Sequence, residues 1–220
     1  YLAVVSHSGS RGPGSRIAEH FSRLARELNS DLPKELWHLA WLDMDKDGAE
    51  YWEAMELMGR FASANHHVIH RDILKFLGVR SLLQVENHHN FAWRENVVMN
   101  NGEIHEAYVH RKGATPASWG VLGIIPGSMT TKGYIVKGKG NFRSINSSSH
   151  GAGRAMSRRA AHNNLDPNEW KRQLKEADVE LIGGSLDEAT NAYKDIEKVM
   201  SHQESLVEVL ADFQPRIVRM

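Results

Sequence analysis

Apolar residues in the first third of the chain follow two different spacings. A run of four at positions 2–5 predicts a buried strand, and a turn rich in Ser, Gly and Pro follows it as far as position 14. Helical spacing comes next, carried by Ile17, Phe21, Leu24 and Leu28. A second helix is predicted from Gly48 to just before Gly78, because no proline interrupts its apolar face and we expect that face to be core. The face comprises Tyr51, Met55, Met58, Phe61, Ala62 and Asn65.

The remaining two thirds alternate short strands with helices. The sequence Asn100-Asn-Gly-Glu103 is a hairpin signal between strands at 95–99 and 104–110, and Asp166 before a proline predicts a helix start. Further strands are predicted at 81–86, 121–125, 134–136, 179–182, 206–210 and 217–218, and further helices at 153–162 and from 187 towards 200. No repeat or linker divides the chain. We expect one α+β domain over residues 1–220, with mixed sheets and packed helices.

Composition narrows the range of functions. The 220 residues carry 27 basic and 27 acidic side chains, so a nucleic-acid site has to come from local clustering of charge. The chain contains no cysteine, which excludes disulfides and thiolate metal ligands within it. Its 13 histidines, several of them clustered, favour metal binding or phosphate chemistry as candidate functions. No apolar run is long enough to span a membrane and no signal peptide is visible, so we expect a cytoplasmic protein.

One segment combines a histidine with small and basic residues. It runs from Ser147 through His150-Gly-Ala-Gly153 to Arg154 and Arg158. Small residues let backbone N–H groups approach phosphate oxygens, and two arginines four residues apart can share one face of a helix that begins near Gly153. A neutral imidazole placed there can act as a nucleophile toward phosphorus. The alternative interpretation is a glycine-rich turn followed by a solvated, basic helix start.

Two histidine groups lie in the first third of the chain. His7 follows the first predicted strand and Arg11 lies in the same turn, where they could bind a metal and a phosphate; a solvated turn is the alternative. His66 and His70 have the spacing of a chelating pair on the long helix, with His67 beside them. Because no carboxylate accompanies this pair, we favour a surface cluster.

A further pair, His88 and His89, ends a predicted strand. Neighbouring side chains on a strand point to opposite faces, so at most one of the two can face a given site, with Asn90 beside it. A polar strand end is the alternative. The basic turn at 110–115 is either a phosphate contact or solvated.

Six motifs occur along the chain in the order seen in the RtcB RNA ligases, and together they cover nearly its whole length. They are His7-Ser-Gly-Ser-Arg11, Glu86-Asn-His-His-Asn90, His110-Arg-Lys-Gly-Ala-Thr115, Pro126-Gly-Ser-Met129, Ser149-His-Gly-Ala-Gly-Arg154 and Ala192-Tyr-Lys-Asp195. Members of that family are about twice as long, and the match begins roughly midway. The sequence therefore resembles the C-terminal half of an RtcB-like fold, with the N-terminal portion of the family domain upstream of Tyr1.

The resemblance implies a ligase that uses GTP and manganese, with two metal ions expected. It would join RNA ends bearing a 3′-phosphate or 2′,3′-cyclic phosphate to 5′-hydroxyl ends, in RNA repair or tRNA splicing. An activating protein partner is possible, but the sequence does not name one. His150 matches the histidine that becomes guanylylated, and His7 and His89 match metal ligands. Arg11, Arg154 and Arg158 match residues that hold the RNA phosphate. The nucleotide-binding positions are His89, Asn90, Pro126, Gly127, Ser128, Met129, Gly133, His150, Gly151, Ala152, Gly153 and Arg219.

Three positions depart from the family pattern. Thr130 stands where a glycine is usual, and Gly133 where the family has a serine that contacts the nucleotide. Arg219 replaces the lysine that reaches the guanine; it keeps the charge but changes its geometry. We expect these departures to change the affinity for the nucleotide or the choice of nucleotide. They indicate a divergent paralogue.

The family's other metal ligands would lie upstream of Tyr1, so we expect the 220-residue chain alone not to react with GTP. Two other functions stay open. One is a capping enzyme that transfers guanylate to RNA or DNA 3′ ends without sealing them. The other is a non-catalytic paralogue that binds RNA ends through its arginines.

Overall fold

The chain divides into two compact units, Tyr1–Gln84 and Val85–Met220. A computed structural model describes the backbone of residues 1–220 and every side chain except that of Arg11. The first unit is helical, and the second combines short strands with short helices. The predicted α+β class is therefore confirmed.

Two helices and a 3₁₀ turn form the first unit. Helix α1 is Arg11–Leu28, the 3₁₀ helix is Lys34–Leu39 and α2 is Asp47–Leu77. Helix α1 begins earlier than predicted because Pro13 falls in its first turn, where a missing N–H costs no hydrogen bond. Helix α2 confirms the predicted long helix, which ends at Gly78 in the left-handed conformation (φ 66°).

The apolar face predicted for α2 is buried only in part. Ala62 is buried, and the ring of Tyr51 packs on Phe21 of α1 with centroids 5.2 Å apart. Phe61 is 47% exposed, so its assignment to the core was wrong within this unit.

Two predicted strands, at 2–5 and 81–86, are not observed. Leu2 is 71% exposed and Leu82 is 85% exposed. An extended segment becomes a strand only when a neighbour satisfies its N–H and C=O groups. Among the described residues, no strand pairs with either segment. Both predictions were therefore wrong.

Four small sheets build the second unit. A hairpin joins β1 (Asn90–Val98) and β2 (Ile104–Lys112), as predicted. An antiparallel sheet contains β4 (Leu122–Ile125), β5 (Gly133–Gly138) and β8 (Val207–Phe213), in that order. Two more pairs are antiparallel β3 (Ala114–Pro116) with β6 (Ser147–Ser149), and parallel β7 (Glu180–Ile182) with β9 (Ile217–Arg219).

The helices of the second unit are short. They are α3 (Arg158–Asn164), α4 (Pro167–Glu176) and α5 (Ile196–Ser201). The predicted cap of α4 is confirmed, since the Asp166 carboxylate accepts the Asn168 N–H at 2.9 Å. The helix predicted from 187 is wrong over most of its length, because Ala189 is extended between two 3₁₀ turns and Tyr193 is extended after the second one. The chain becomes α-helical only after Asp195, whose carboxylate caps α5.

The core of the second unit lies around the β4–β5–β8 sheet. Ile125 and Val136 are its largest fully buried apolar side chains, and Ile196 of α5 packs with them. This core therefore supports the turn that begins at Pro126, directly after β4. None of the described helices is long and apolar enough to cross a membrane.

Candidate active site

His150 follows strand β6, and the carbonyl group of Gly113 fixes its ring. The imidazole Nδ1 lies 2.7 Å from that carbonyl oxygen, and the backbone N–H of His150 donates to the same oxygen at 3.3 Å. Because a carbonyl oxygen only accepts, we assign the proton to Nδ1 and the lone pair to Nε2. The half-buried imidazole thus has the tautomer that a nucleophilic Nε2 requires.

The ring of His89 lies beside that of His150, with centroids 4.9 Å apart and planes inclined by 34°. Gly113 connects the two histidines, because its N–H donates to the His89 carbonyl oxygen at 2.9 Å. Gly113 has a φ of 73°, which favours glycine. His88 packs instead near Phe91, with ring centroids 5.4 Å apart, so the two adjacent histidines contact different rings.

The loop after His150 packs directly against the turn that begins at Pro126. Ala152 donates its N–H to the Pro126 carbonyl oxygen at 3.0 Å, and a Cβ at Gly151 would lie 2.9 Å from that oxygen. Gly153 adopts a φ of 69°. Small residues therefore permit the close approach of these two loops, which brings Pro126 next to Gly151 and Ala152, the residues that follow His150.

Hydrogen bonds within the Pro126 turn define its shape. The Ser128 N–H donates to Thr131 Oγ1 at 2.7 Å, and the two hydroxyl oxygens are 3.0 Å apart. A Cβ at Gly127 would lie 2.3 Å from the Lys132 carbonyl oxygen, so only glycine fits there. Met129 is buried in a second apolar cluster. Asn90, predicted to face the nucleotide, begins β1 and is exposed.

Arg154 and Arg158 converge on Glu188, although they do not share a helix. Helix α3 begins only at Arg158, because Ser157 caps it, and Arg154 forms an isolated β-bridge with Tyr193. The prediction of one helical face was therefore wrong. Nη1 of Arg158 lies 2.6 Å from Glu188 Oε1, and Nη1 of Arg154 lies 3.7 Å from the same oxygen. Tertiary structure thus brings the two guanidinium groups together.

A second carboxylate, that of Asp187, also contacts Arg158. The Ser185 hydroxyl, and then the Arg158 guanidinium, hold the pKa of Asp187 below its ordinary value. The hydrogen bond that Arg158 donates to Asp187, followed by the negative charge of Glu188, in turn raises the pKa of Arg158. Arg158 is nevertheless 69% exposed, so solvent screens these ion pairs.

Tyr193 lies at the other side of this cluster. Its ring centroid is 5.2 Å from the Arg154 guanidinium carbon, and its hydroxyl donates to Glu188. Burial, followed by the bond to Glu188, raises the pKa of Tyr193 to about 12. The hydroxyl therefore stays protonated at neutral pH. Asp187 and Glu188 could not be predicted as arginine partners, because no local pattern in the sequence connects residues about 30 positions apart.

In the first unit, helix α2 holds the turn that carries His7. His70 Nε2 lies 2.9 Å from Ser6 Oγ, and His66 Nε2 lies 3.1 Å from the Ser8 carbonyl oxygen. The predicted surface cluster is thus half-buried at these two histidines and contacts the turn.

The predicted metal ligands His7 and His89 belong to different units. Within the described residues, no group of three or more His, Asp or Glu side chains is arranged to hold a metal ion. Two imidazoles fit part of a manganese ligand set, which also favours carboxylate or other oxygen ligands. The metal site stays a prediction. The predicted phosphate contact of Arg11 concerns a side chain outside the described residues.

Comparison with known sequences decides the family. The family model described as "tRNA-splicing ligase RtcB" matches residues 1–220, and this single match spans both compact units. The chain belongs to the RtcB family. It is 36% identical to the "RNA-splicing ligase RtcB" of Escherichia coli K12 over 94% of the chain and 53% of that protein. It is 31% identical to the "tRNA-splicing ligase RtcB" of Nanoarchaeum equitans over 97% of the chain and 51% of that protein. The chain therefore spans about half the length of these curated relatives.

The structure describes the neighbours of the three positions that we interpreted as departures from the RtcB pattern, Thr130, Gly133 and Arg219. At Gly133, an added Cβ would lie 2.2 Å from Cζ of Phe213, which is paired with it across β5 and β8. Thr130 hydrogen-bonds through its hydroxyl to that of Thr190 at 2.5 Å. Arg219 is exposed in β9. The aromatic ring of Phe213 thus occupies the space that a serine side chain would need at position 133.

Proposed function

We propose that the protein joins RNA ends bearing a 3′-phosphate or 2′,3′-cyclic phosphate to 5′-hydroxyl ends, with GTP as co-substrate and His150 as the nucleophile. The observation that carries the proposal is the 2.7 Å contact between His150 Nδ1 and the Gly113 carbonyl oxygen, which leaves the Nε2 lone pair available. Membership of the RtcB family, whose curated members are named RNA-splicing or tRNA-splicing ligases, supports the same chemistry.

In the first step, His150 Nε2 attacks the α-phosphorus of GTP. A P–N bond forms, and the bond to the bridging oxygen breaks with its electron pair leaving on pyrophosphate. In the second step, an oxygen of the RNA 3′-phosphate attacks the guanylate phosphorus, and the electron pair of the P–N bond returns to Nε2. The 5′-hydroxyl then attacks the activated 3′-phosphate, its proton passes to a base, and GMP leaves. A cyclic phosphate must first be opened by water.

Manganese would neutralise negative charge on the triphosphate, and His7 and His89, each within its own unit, are the residues of this chain proposed as ligands. In the second unit, the loop after His150 packs on the Pro126 turn through the Ala152–Pro126 hydrogen bond, which supports the proposal that both loops bind the nucleotide. Positioning of this kind is most of what phosphoryl-type transfer requires from a protein.

Arg154 and Arg158 are the described residues proposed to hold the RNA 3′-phosphate. Both already contact carboxylate oxygens of Glu188, so a phosphate has to replace or join this carboxylate. Since most of the Arg158 side chain is exposed, it can turn toward an incoming phosphate with little loss of packing. Arginine suits this task because its fork can bind two phosphate oxygens at once.

The test is a sealing assay with the full-length protein, GTP, Mn²⁺ and two RNA strands that end in a 3′-phosphate and a 5′-hydroxyl. We expect sealed product from the wild type, none from His150→Ala, and wild-type activity from His105→Ala, which changes an exposed histidine of the β1–β2 hairpin. Guanylate transfer to the 3′ end without sealing would replace this proposal with the capping function. Undiminished sealing by His150→Ala would refute the role of His150.

A further inference from the structure

Strand β6, which leads into His150, has little backbone support. It contains three residues and pairs only with the three-residue strand β3 among the described strands. Such a short two-stranded ladder is marginal in water by itself. Other groups must therefore hold the residues that precede His150.

Arg111 of β2 binds the first end of β6. Its Nε donates to Ser147 Oγ at 2.8 Å, and Nη2 donates to the Ile145 carbonyl oxygen at 3.0 Å. Both terminal nitrogens also donate to the two Glu95 carboxylate oxygens at 2.8 Å. The guanidinium lies over the ring of Trp93, 4.9 Å from its centroid, and Arg111 is only 2% exposed. Glu95 neutralises the charge of this buried guanidinium, and the same group also donates hydrogen bonds to the 145–147 turn.

The turn that Arg111 holds has a conformation that side chains disfavour. Ile145 and Asn146 have φ angles of 52° and 48°, in the left-handed region. That region is unfavourable for a β-branched residue such as isoleucine. The hydrogen bond from Arg111 to the Ile145 carbonyl oxygen stabilises this geometry, and Ser147 follows directly.

Gln203, just after α5, binds the other end of β6. Its Oε1 accepts the backbone N–H of Ser149, the residue before His150, at 2.6 Å. The Gln203 side chain is buried, and the backbone N–H of Gln203 donates to the Met200 carbonyl oxygen, which ties the residue to α5. Gln203 thus supplies the acceptor that a neighbouring strand would otherwise provide.

We propose that Arg111 and Gln203 are positioning residues that fix β6, and through it the His150 imidazole, for nucleotide transfer. Strand β2 has a double effect, because it carries Arg111 and leads directly into Gly113, whose carbonyl oxygen orients the His150 ring. The catalytic consequence rests on the proposed function. Misplacement of a reacting group by about 1 Å can slow a reaction roughly 100-fold.

The test compares Arg111→Lys, which keeps the charge but loses the fork, with Gln203→Leu, which keeps the size but loses the acceptor. Arg172→Lys, in an exposed ion pair of α4, is the matched control. All are made in the full-length protein, and thermal denaturation establishes the folded fraction. We expect single-turnover guanylylation to slow about 10- to 100-fold in both site variants. The GTP concentration for half-maximal rate should change by less than about threefold, because neither residue is proposed to contact the nucleotide.

A second readout needs no GTP. Nitrogen NMR of the His150 ring should show one tautomer, with the proton on Nδ1, in the wild type and in Arg172→Lys. It should show a mixture of tautomers in folded Arg111→Lys and Gln203→Leu. Unchanged guanylylation and an unchanged tautomer in both folded variants would overturn the inference. If the wild type itself forms no adduct, the proposed function fails, and the tautomer measurement alone decides whether these residues position the ring.

Discussion

A serine at position 133, which the resemblance to the RtcB ligases led us to expect there, should destabilise this protein, because an aromatic ring fills the space. The Cβ of Gly133→Ser would lie 2.2 Å from Cζ of Phe213 and 2.8 Å from both Cε atoms. Real side chains do not approach so closely, so the ring or the strands must move. The clash involves the far end of a half-buried side chain, which can swing outward, rather than backbone.

The expected cost is therefore at the lower end of that for overpacked sites, about 1–2 kcal/mol of the free energy of unfolding. For a domain of 150–250 residues this corresponds to a fall in Tm of roughly 2–8 °C, and for a protein twice as long to roughly half of that fall, because the entropy of unfolding grows with chain length. The assay is thermal denaturation of the full-length protein. Gly12→Ser in α1 is the matched control, because a Cβ there meets nothing within 4 Å, and it should leave the Tm nearly unchanged.

A double-mutant cycle identifies the cause. Phe213→Ala will destabilise by itself, but in that background Gly133→Ser should cost almost nothing, so the coupling free energy should equal most of the single-variant loss. If Gly133→Ser lowers the Tm equally with and without the Phe213 ring, the steric explanation is wrong. The same double variant would show whether a serine at this position improves use of GTP once it has room.

Three further changes test other parts of the site. Thr131→Val leaves the Ser128 N–H without its acceptor and should cost about 1–3 kcal/mol by urea denaturation, whereas Thr131→Ser should restore stability. Gly127→Ala forces a Cβ against the Lys132 carbonyl oxygen, and single-turnover assays should show slower guanylylation. The folded-state pKa of Asp187 lies below its ordinary value of about 4. The ionised carboxylate therefore stabilises the protein fully above that ordinary pKa, and this contribution is lost as the pH falls through the lowered pKa. Asp187→Asn should therefore flatten the acid side of the urea midpoint plotted against pH.

Elements specified by local chemistry could be predicted from the sequence. The Asn100-Asn-Gly-Glu103 turn, the Asp166 cap and the Gly78 helix end each depend on a few adjacent residues, and all three were confirmed. The strands expected at 2–5 and 81–86 failed because a strand also requires a partner, which an apolar run does not specify.

In the candidate site too, the features set by adjacent residues could be predicted, and those that depend on distant residues could not. The glycine-rich loops and His150 could be located from residue types and motif order. The Gly113 carbonyl group that orients His150 is 37 residues away, and Glu188 is 30 residues from the arginine that it binds. The sequence places both arginines near a helix start, but their meeting point depends on the β-bridge between Arg154 and Tyr193, which is a tertiary contact.

Mass spectrometry of the full-length protein after incubation with GTP and Mn²⁺ tests the central claim most directly. We predict a mass increase of one guanosine monophosphate residue, assigned by fragmentation to His150, bound through Nε2 and released by acid as expected for a P–N bond. The adduct should be absent from His150→Ala and present in His105→Ala. Absence of the adduct from the wild type, or its assignment to another residue, would contradict the account.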